Sequence, residues 1–564
     1  METCTPTRLS WQHGIGAHNC HKDKLKDVKF IFVNKHSKSH QHLLHCRTIA
    51  NDHDRGAVLR RRQRANRGDQ SSVLEQLPVT QLRNPFPPIE VLSAESLERI
   101  HDGSMRILEE VGLEIVNDRA RELMVHHGAG IDPKTGYVRM DRGLVLEKIA
   151  LVPAEFTLHA RNPVHNSVFG GNHINFTLVA SPPNCSDLDH GRRSGNIGDF
   201  RKFLKLGQQF NVVKMFSGYP VEPVDLPAHT RHLDAYMDFI TLTEKPWHCY
   251  SLGNGRVEDG LEMTRIARGI DADQMMNEPS ITTVVNTNSP LKVDGPMLDG
   301  LMLMAEWGQP VVVTPFTLAG AMCPVTLAGA LAQQNAEALG VIAISQMVRP
   351  GAPMMYGGFT SNVDMKTGAP AFGTPEYARA VLAGGQLARR YGIPYRTSNV
   401  NAANAPDAQA AWESEMSLWS AVMAHGNMIK HSGGWLEGGL CASFEKLILD
   451  MEMVQMMHRT LQPIEVTEED LALDSIREVG AGGHHFGTSH TMARYKDAFY
   501  KPIVSDWSNF ETWRDNGALT ADQRANALFK QMLEAYRQPP LDPSVHEELT
   551  AYVERRRGEI KPAW

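Results

Sequence analysis

The chain has 564 residues, 42% hydrophobic and 21% charged, and a formal net charge of −7, a balance typical of a soluble globular protein. No apolar run approaches the ~20 residues of a membrane-spanning helix, and an acidic chain is a poor candidate for a nucleic-acid enzyme. Its seven cysteines include no CxxC pair, which argues against a disulfide framework or a zinc ribbon. We therefore expect a cytoplasmic protein with neither membrane nor nucleic acid as its partner.

The first 83 residues differ from the others in charge and composition. They hold 15 Lys and Arg against 7 Asp and Glu, a net +8 that leaves −15 for the remainder of the chain. Eight histidines and the run LRRRQRANR (59–67) lie among them, and no stretch is apolar enough for a secretory signal. We interpret residues 1–83 as a basic disordered extension, because interspersed aspartates favour a solvated tail over a nucleic-acid arm or a transit peptide.

Ordered structure is expected to begin near NPFPPIEVLS (84–93), whose prolines end the tail. Ser93 can cap a helix with acidic residues in its first turn, and AESLERIHDGSMRILEEVG (94–112) places apolar residues at helical spacing. The sequence thus predicts a helical and mixed N-terminal region over residues 84–172, with residues 94–130 helical.

From residue 173 onward, short apolar segments alternate with long segments of helical period. Strands that alternate with helices run parallel, and eight such units are what a closed barrel requires. Residues 173–564 are therefore predicted to form an α/β domain, a (β/α)8 or TIM barrel with C-terminal helices. An open doubly wound sheet is the alternative, which the absence of GxGxxG after the first segment disfavours. The predicted strands are INFTLVA (174–180), VVKMFSG (212–218), PWHCYSLG (246–253), SITTVVNTN (280–288), PVVVTPF (310–316), PMMYGGF (353–359), IPYRTSN (393–399) and NMIKHSGG (427–434).

In such a barrel the site lies at the carboxyl ends of the strands, and each predicted strand ends in small or hydrogen-bonding residues. These residues are Ser181, Ser217, Ser251, Asn286 with Asn288, Thr314 with Thr317, Tyr356, Ser398 with Asn399, and His431 with Ser432. Their recurrence predicts a polar mouth. By contrast, Met416, Trp419 and Met423 recur at helical spacing, which predicts a stripe packed on the barrel wall.

The stretch NMIKHSGGWLEGG (427–439) places Trp435 and Glu437 between two glycine pairs. Glycine tolerates positive φ, so this loop can bend sharply and bring both side chains into a concave space at the barrel mouth. An exposed turn with a packing tryptophan is the alternative.

Five ordered motifs between about residues 84 and 560 resemble the trimethylamine:corrinoid methyltransferase (MttB-type) family. They are RNPFPPIEVLS, PDAQAAWESE, GNMIKHSGGWLEGGL, GGHHFGTSHT and LDPSVHEELTAYVERRR. The resemblance implies a (β/α)8 barrel that presents a methylated amine to the cobalt(I) corrinoid of a separate protein. The founding members insert pyrrolysine and act on trimethylamine, whereas members without it include enzymes for glycine betaine. Since this chain contains only the twenty standard residues, a quaternary amine is the expected substrate, and the chain itself is expected to bind no cofactor or metal.

For such a substrate the resemblance implies a site that aligns the amine, because a quaternary nitrogen leaves as a neutral tertiary amine without acid assistance. Aromatic faces and a carboxylate suit the cation, and cationic or imidazole donors suit the carboxylate of a betaine. The candidates are Trp435, Glu437, Tyr356 and Phe359 for the cation, and Arg396, Lys430, His431, His484 and His485 for the carboxylate. Asp407 follows Pro406 and either lies in the first turn of a helix, where a carboxylate interacts favourably with the helix dipole, or faces the cavity at the end of the seventh strand.

Two other function classes stay open at this point. A lyase or aldolase would need a strand lysine, for which Lys430 is the candidate, and a non-catalytic betaine-binding protein would show the same cage. Zinc is disfavoured at GAGGHHFGTSHT, because its histidines do not have the HxxxH spacing of a helical site and no cysteine is near. This segment is instead expected to fold back over the mouth.

Overall fold

The computed structural model describes residues 73–561. Leu82–Arg83 pair antiparallel with the strand His173–Thr177, and Leu82 is buried in the core. Ordered structure therefore begins before the predicted boundary at residue 83, while residues 1–72 of the predicted extension lie outside the described residues. Between residues 73 and 561, no helix has the length and apolar character needed to cross a membrane.

A parallel sheet forms the centre of the fold. Its order is β2-β1-β7-β6-β5-β4-β3, and all neighbouring pairs are parallel. The predicted α/β class is confirmed, and seven of the eight predicted segments each contain one of these strands. The strands are β1 His173–Thr177, β2 Val213–Met215, β3 Thr283–Val285, β4 Val311–Val313, β5 Met354–Gly357, β6 Tyr395–Ser398 and β7 Met428–Lys430.

The third predicted segment, residues 246–253, is not a regular strand, but it hydrogen-bonds to both edges of this sheet. Phe216, just after β2, donates its amide N–H to the carbonyl of Pro246 (N–O 3.0 Å). His248 forms a parallel bridge with Thr282, next to β3. Because Pro246 has no N–H to donate, the ladder on this side is short.

A helix follows each strand and also the segment 246–253, as the sequence predicted. The helices are α1 Ala94–Arg106, α2 Asp118–His126, α3 Arg142–Ile149, α4 Ile197–Gln209, α5 Arg231–Leu242, α6 Asn254–Arg268, α7 Ala272–Asn277, α8 Gly295–Glu306, α9 Leu327–Val348, α10 Pro375–Tyr391, α11 Ala408–Met423, α12 Phe444–Thr460, α13 Glu468–Leu471, α14 Leu473–Val479, α15 Ser489–Arg494, α16 Phe510–Asp515, α17 Ala521–Ala535 and α18 Pro543–Glu559. Helix α9 is buried on nearly all sides, because it lies between the sheet and the N-terminal helices α1 and α3.

The N-terminal region is helical in part. Ser93 caps α1 by accepting a hydrogen bond from the amide of Ser96, as predicted. Residues 94–130 are not helical throughout, because a π-helical turn at Ile107–Val111 ends the first helix at Gly112, and Glu114–Ile115 form a short strand.

Smaller sheets cover the two ends of the central sheet. At the amino ends of the strands, the hairpin of Glu155–Leu158 and Ser167–Gly170 packs Phe156 and Phe169 against methionines of the central strands. At the carboxyl ends, Trp435–Leu436 and Cys441–Ser443 join a second hairpin. The remaining short strands are Asn184–Asp187 and Gly191–Ser194 (the second hairpin), Gly130–Ile131, Val138–Arg139, Lys292–Val293, Leu318–Ala319, Ser361–Val363 and Pro370–Ala371.

The stripe predicted on α11 is only partly in the core. Met416 and Trp419 are 50% and 37% exposed, so the prediction that they pack on the barrel wall is wrong, whereas Met423 packs against the core. Helical spacing identifies side chains that share a face, but it does not identify what covers that face.

Candidate functional site

A cavity of about 280 Å³ opens at the carboxyl ends of the strands. All seven strands or the loops that follow them contribute residues to its lining, together with residues of the segment 246–253. The lining residues are Ala180, Ser181, Ser217, His248, Tyr250, Val284, Asn286, Met297, Thr314, Phe316, Phe359, Arg396, Lys430, His431, Trp435, Gly438, Gly439 and Leu440. Among residues 73–561, no aspartate or glutamate lines the cavity.

Arg396 on β6 is the most deeply buried cation of the cavity, with 2% of its surface exposed. Its guanidinium carbon lies 5.2 Å from the ring centroid of Phe359, and its Nε and Nη1 atoms have no hydrogen-bond partner in the part of the chain that the structure describes. Burial lowers the pKa of Arg396 to about 10, a value at which it still carries its charge near neutral pH. The guanidinium thus offers two N–H groups with no protein acceptor.

Lys430 on the neighbouring strand β7 is buried beside it. Burial, with the charge of Arg396 nearby, holds the pKa of Lys430 well below its usual value. Within residues 73–561, neither cation has a carboxylate at ion-pair distance. Buried unpaired charges are costly, so the pair is suited to an anion that a ligand supplies.

Two histidines complete the polar half of the cavity. The amide of Ala180 donates to Nδ1 of His431 (3.2 Å), which places the proton of the neutral ring on Nε2. Burial, Lys430 and Arg396 together hold the pKa of His431 well below its usual value, and burial and Lys430 do the same for His248. Both rings are therefore neutral hydrogen-bonding groups.

Aromatic rings line the cavity beside these polar groups. Phe316 stacks on Phe359 (centroids 5.4 Å apart), and Trp435 lies 4.2 Å from the ring of His431. The indole N–H of Trp435 donates to the carbonyl of Asn401 (3.0 Å). Gly439 has φ +101°, and a Cβ at this position would lie 2.5 Å from the indole, so the second glycine pair gives the tryptophan its space.

Five of the predicted site residues meet in this cavity: Trp435, Phe359, Arg396, Lys430 and His431. Glu437 does not, because the backbone turns there at φ +54° and directs its carboxylate to Arg192, whose Nε lies 2.9 Å from both oxygens. Its predicted role as a counter-charge for the substrate cation is therefore corrected.

Four further candidates lie outside the cavity. The hydroxyl of Tyr356 accepts from Gln334 on α9, because this side chain points toward the helices and not into the cavity. Asp407 caps α11 by accepting from the amides of Gln409 and Ala410. The remaining two, His484 and His485, are exposed, and no described residue of their loop lines the cavity, so the structure does not show the predicted fold-back over the mouth.

Sequence reasoning did not select His248, Tyr250 and Phe316 for the site. The first two belong to the third predicted strand, whose end was assigned to Ser251, and the hydroxyl of Tyr250 bonds to the predicted strand-end residue Ser181 (2.7 Å). The sequence did contain a signal for them, because His248 and Tyr250 stand near the end of a predicted strand.

Comparisons with known proteins give consistent relatives. The family model described as trimethylamine methyltransferase matches residues 59–561. The chain is 36% identical to glycine betaine methyltransferase of Desulfitobacterium hafniense over 476 residues, which cover 84% of this chain and 98% of that protein. It is 28% identical to the trimethylamine methyltransferase of the same species, covering 83% and 94%. Among solved structures, monomethylamine methyltransferase of Methanosarcina barkeri matches 79% of this chain and 98% of its own, with 11% identity and a TM-score of 0.41.

Proposed function

This chain belongs to the trimethylamine methyltransferase family and is a methyltransferase, and we propose that its substrate is a betaine, a quaternary ammonium carboxylate of which glycine betaine is the smallest. One observation carries the proposal: Arg396 and Lys430 are buried in the cavity without a protein carboxylate. A betaine supplies the missing anion, and the 36% identical glycine betaine methyltransferase supports the same choice.

Trimethylammonium fits this cavity less well. It would bring a positive charge beside the buried guanidinium of Arg396 and the buried amine of Lys430, and among the described residues the lining contains no aspartate or glutamate to offset it. Like charges in a poorly solvated site repel strongly. The carboxylate of a betaine removes this repulsion by pairing with the guanidinium and the ammonium, while neutral His431 and His248 can donate further hydrogen bonds.

The carboxylate contacts orient the other end of the substrate. With the anion at Arg396 and Lys430, the trimethylammonium group would lie against aromatic rings of the lining such as Phe316 and Tyr250. Cation–π contacts of this kind contribute ~0.5–2 kcal/mol. The protein thereby fixes one N-methyl group toward the open mouth and excludes water from the other two.

The methyl acceptor is the cobalt(I) of a corrinoid, which a partner protein carries. Its electron pair forms the new cobalt–carbon bond, and the pair of the broken C–N bond stays on nitrogen, so a neutral tertiary amine is left. A cavity of about 280 Å³ accepts a small amine but not a corrinoid macrocycle, which is consistent with a corrinoid that remains outside on its carrier. The exposed apolar side chains of Leu440, Val325 and Met365 in the loops after the strands suit a docked carrier protein.

We also propose that the central sheet closes into a complete barrel. The hydrogen bonds from residues 246–250 to both sheet edges support closure into a (β/α)8 barrel, with this segment as the eighth member. A closed barrel explains why residues from strands at opposite edges, such as Ser217 and Val284, line one cavity.

The test is direct. The protein is incubated with glycine betaine and cob(I)alamin, with methylcobalamin followed by its absorbance and dimethylglycine by mass spectrometry. We expect both products in equal amounts, and much slower formation of methylcobalamin from trimethylamine. Binding of glycine betaine without either product would indicate a binding protein, and borohydride trapping of a substrate carbonyl on Lys430 would indicate a lyase or aldolase.

A further inference from the structure

Four buried polar side chains, named the clamp, hold Trp435 from outside the cavity. The clamp consists of Asn401 in the loop after β6, Ser414 on α11, and Lys446 and Asp450 on α12. Each of the four is at most 3% exposed, and none of them lines the cavity. The clamp can therefore act on the site only through the residues that it holds.

Three hydrogen bonds join the clamp to the loop that carries Trp435. The indole N–H of Trp435 donates to the carbonyl of Asn401 (3.0 Å), and the side-chain amide of Asn401 donates to the carbonyl of Trp435 (2.7 Å). The amide N–H of Gly434 donates to the carboxylate of Asp450 (2.8 Å). Gly434 has φ +95°, and glycine adopts many other conformations as readily. These bonds therefore set both the path of the backbone and the angle of the indole.

Lys446 connects the two ends of the clamp. Its ammonium group donates to the hydroxyl of Ser414 (2.9 Å) and forms an ion pair with Asp450. The hydroxyl of Ser414 in turn accepts from the side-chain amide of Asn401 (3.1 Å). The contacts thus form a closed cycle that reaches the loop of Trp435 from both sides. Because hydrogen bonds are directional, a closed cycle favours one arrangement of the groups that it joins.

Stability alone does not explain the ion pair of Lys446 and Asp450. Two charges that are buried lose their hydration, and their replacement by apolar side chains of similar size is often neutral or stabilising. Apolar contacts are not directional, however, whereas an ammonium and a carboxylate group make strong bonds at defined angles. The pair bonds to Ser414 on one side and to Gly434 on the other, so its directional bonds lead to the edge of the cavity.

Trp435 carries the effect of the clamp into the cavity. The ring centroids of Trp435 and His431 are 4.2 Å apart, and those of Trp435 and Phe359 are 6.2 Å apart. All three side chains line the cavity, so a shift of the indole would change its shape and remove a support of the imidazole. A binding site keeps its geometry within fractions of an ångström only when a surrounding layer of residues holds the groups that contact the ligand. The clamp has the place and the bonds for this role.

We propose that Asn401, Ser414, Lys446 and Asp450 are positioning residues of this methyltransferase, which fix the indole of Trp435 as a wall of the substrate cavity. This inference rests on the proposed function, because it takes a betaine as the molecule in the cavity. It goes further by giving an ion pair outside the cavity a role in substrate binding. Loss of the clamp should lower the affinity by no more than loss of the indole does, and the two losses should not add.

The experiment compares clamp variants of the full chain with and without Trp435. The first variant is Lys446→Met with Asp450→Val, which removes both charges together, so that neither is left buried alone. The second is Ser414→Ala, which breaks the link to the loop after β6. The matched control is Ser420→Ala, because Ser420 is a buried serine of the same helix whose hydroxyl donates within that helix (2.7 Å). Each change is also combined with Trp435→Leu, and circular dichroism checks that every variant is folded.

Two measurements are made on each protein. Fluorine NMR of chains that contain 5-fluorotryptophan reports the surroundings of Trp435 without any ligand, and the loss of one resonance in Trp435→Leu identifies it. Calorimetry measures the affinity for glycine betaine. We expect both clamp variants to shift or broaden the Trp435 resonance and to weaken binding about two- to tenfold, whereas Ser420→Ala should do neither. In the Trp435→Leu background the clamp variants should weaken binding no further.

Three results would each overturn the proposal. An unchanged Trp435 resonance in both clamp variants would mean that the clamp does not position the indole. A moved resonance with unchanged affinity would mean that the clamp supports the fold alone. An equal loss of affinity with and without the indole would mean that the effect does not pass through Trp435. Failure of the proposed function looks different, because the unmodified chain then does not bind glycine betaine, while the fluorine resonance still decides whether the clamp holds the indole.

Discussion

Two regions of the molecule bury charged side chains beside aromatic rings, but only one of them contains both the positive and the negative side chain. At the C-terminal helix α18, the carboxylate of Asp259 is fully buried and binds Arg556 (2.6 Å), Tyr552 (2.8 Å) and His232 (2.8 Å). In the cavity, Arg396 and Lys430 are buried with no carboxylate. A buried ion pair holds two structural elements together, whereas a buried charge without a partner is retained where a ligand supplies the opposite charge.

The largest effect should come from breaking the paired cluster. Asp259→Asn leaves Arg556 without its buried counter-charge, so the free energy of unfolding should fall by about 3–5 kcal/mol, measured by urea denaturation. The affinity of the folded protein for glycine betaine should not change, because α18 contributes nothing to the cavity. An unchanged stability would mean that the cluster is not a structural fastening.

The same cluster has a pH signature. Burial alone would raise the pKa of Asp259, but the hydrogen bonds from His232 and Arg556 bring it below its usual value of 3.8. Its contribution is therefore present above about pH 4 and is lost as the pH falls through the lower value in the folded protein. The Asp259→Asn variant should lose that part of the acid sensitivity.

Removing the unpaired guanidinium of Arg396 should lower the affinity for the ligand and leave the stability of the fold intact. Arg396→Met preserves length and apolar stem but removes the main anchor of the carboxylate, so the affinity for glycine betaine should fall by about 2–5 kcal/mol in calorimetry. Stability should hold or rise, because an uncompensated buried charge is gone. Trimethylamine, which has no carboxylate, serves as the control ligand, and its weak binding should not fall.

Lys430 should give a smaller effect that depends on pH. Lys430→Met removes a charged hydrogen bond worth about 1.5–3 kcal/mol. Since burial and Arg396 hold the pKa of Lys430 well below its usual value, and the facing His431 and His248 are neutral, a bound carboxylate should raise this pKa again. Binding then takes up a proton, and the affinity declines as the pH rises. Calorimetry in buffers of different ionisation enthalpy should detect the uptake, and Lys430→Met should abolish it.

Trp435 should contribute less, through the shape of the cavity. Trp435→Leu removes the ring that packs 4.2 Å from His431 and should weaken glycine betaine binding by about 0.5–1.5 kcal/mol, up to roughly tenfold. The complementary variant is Gly439→Ala with Trp435 left in place, because the new Cβ would collide with the indole. A tryptophan that only packs the loop would lower stability in the leucine variant without altering the affinity of the folded protein.

The sequence predicted the order of strands and helices well because periodicity and strand spacing are local properties. Arg396 and Lys430, two of the residues selected from the sequence, both line the cavity, since adjacent parallel strands bring their ends together whatever the details of the loops. The sequence predicted a regular third strand at residues 246–253 and did not foresee that this segment is irregular. Pro246 interrupts the ladder there, and Tyr250 reaches the site. It also misassigned Met416 and Trp419, because a helical pattern does not reveal what, if anything, covers the shared face.

Glu437 is the point at which sequence and structure differ most, and it should give the smallest effect. The glycine pairs correctly identified a loop at the mouth, but the sign of φ at Glu437 decides which way its side chain points, and this is set by pairing with the hairpin of residues 184–194. Its partner Arg192 is half exposed, and such pairs contribute about 0–1 kcal/mol. Glu437→Gln should therefore lower stability only slightly, and less so at high salt. The affinity for glycine betaine should be unchanged at any salt concentration, because the charge faces Arg192 and not the ligand. A loss of affinity that grows at low salt, and that a neutral isostere of the substrate does not share, would return Glu437 to the site as a counter-charge for the ammonium group.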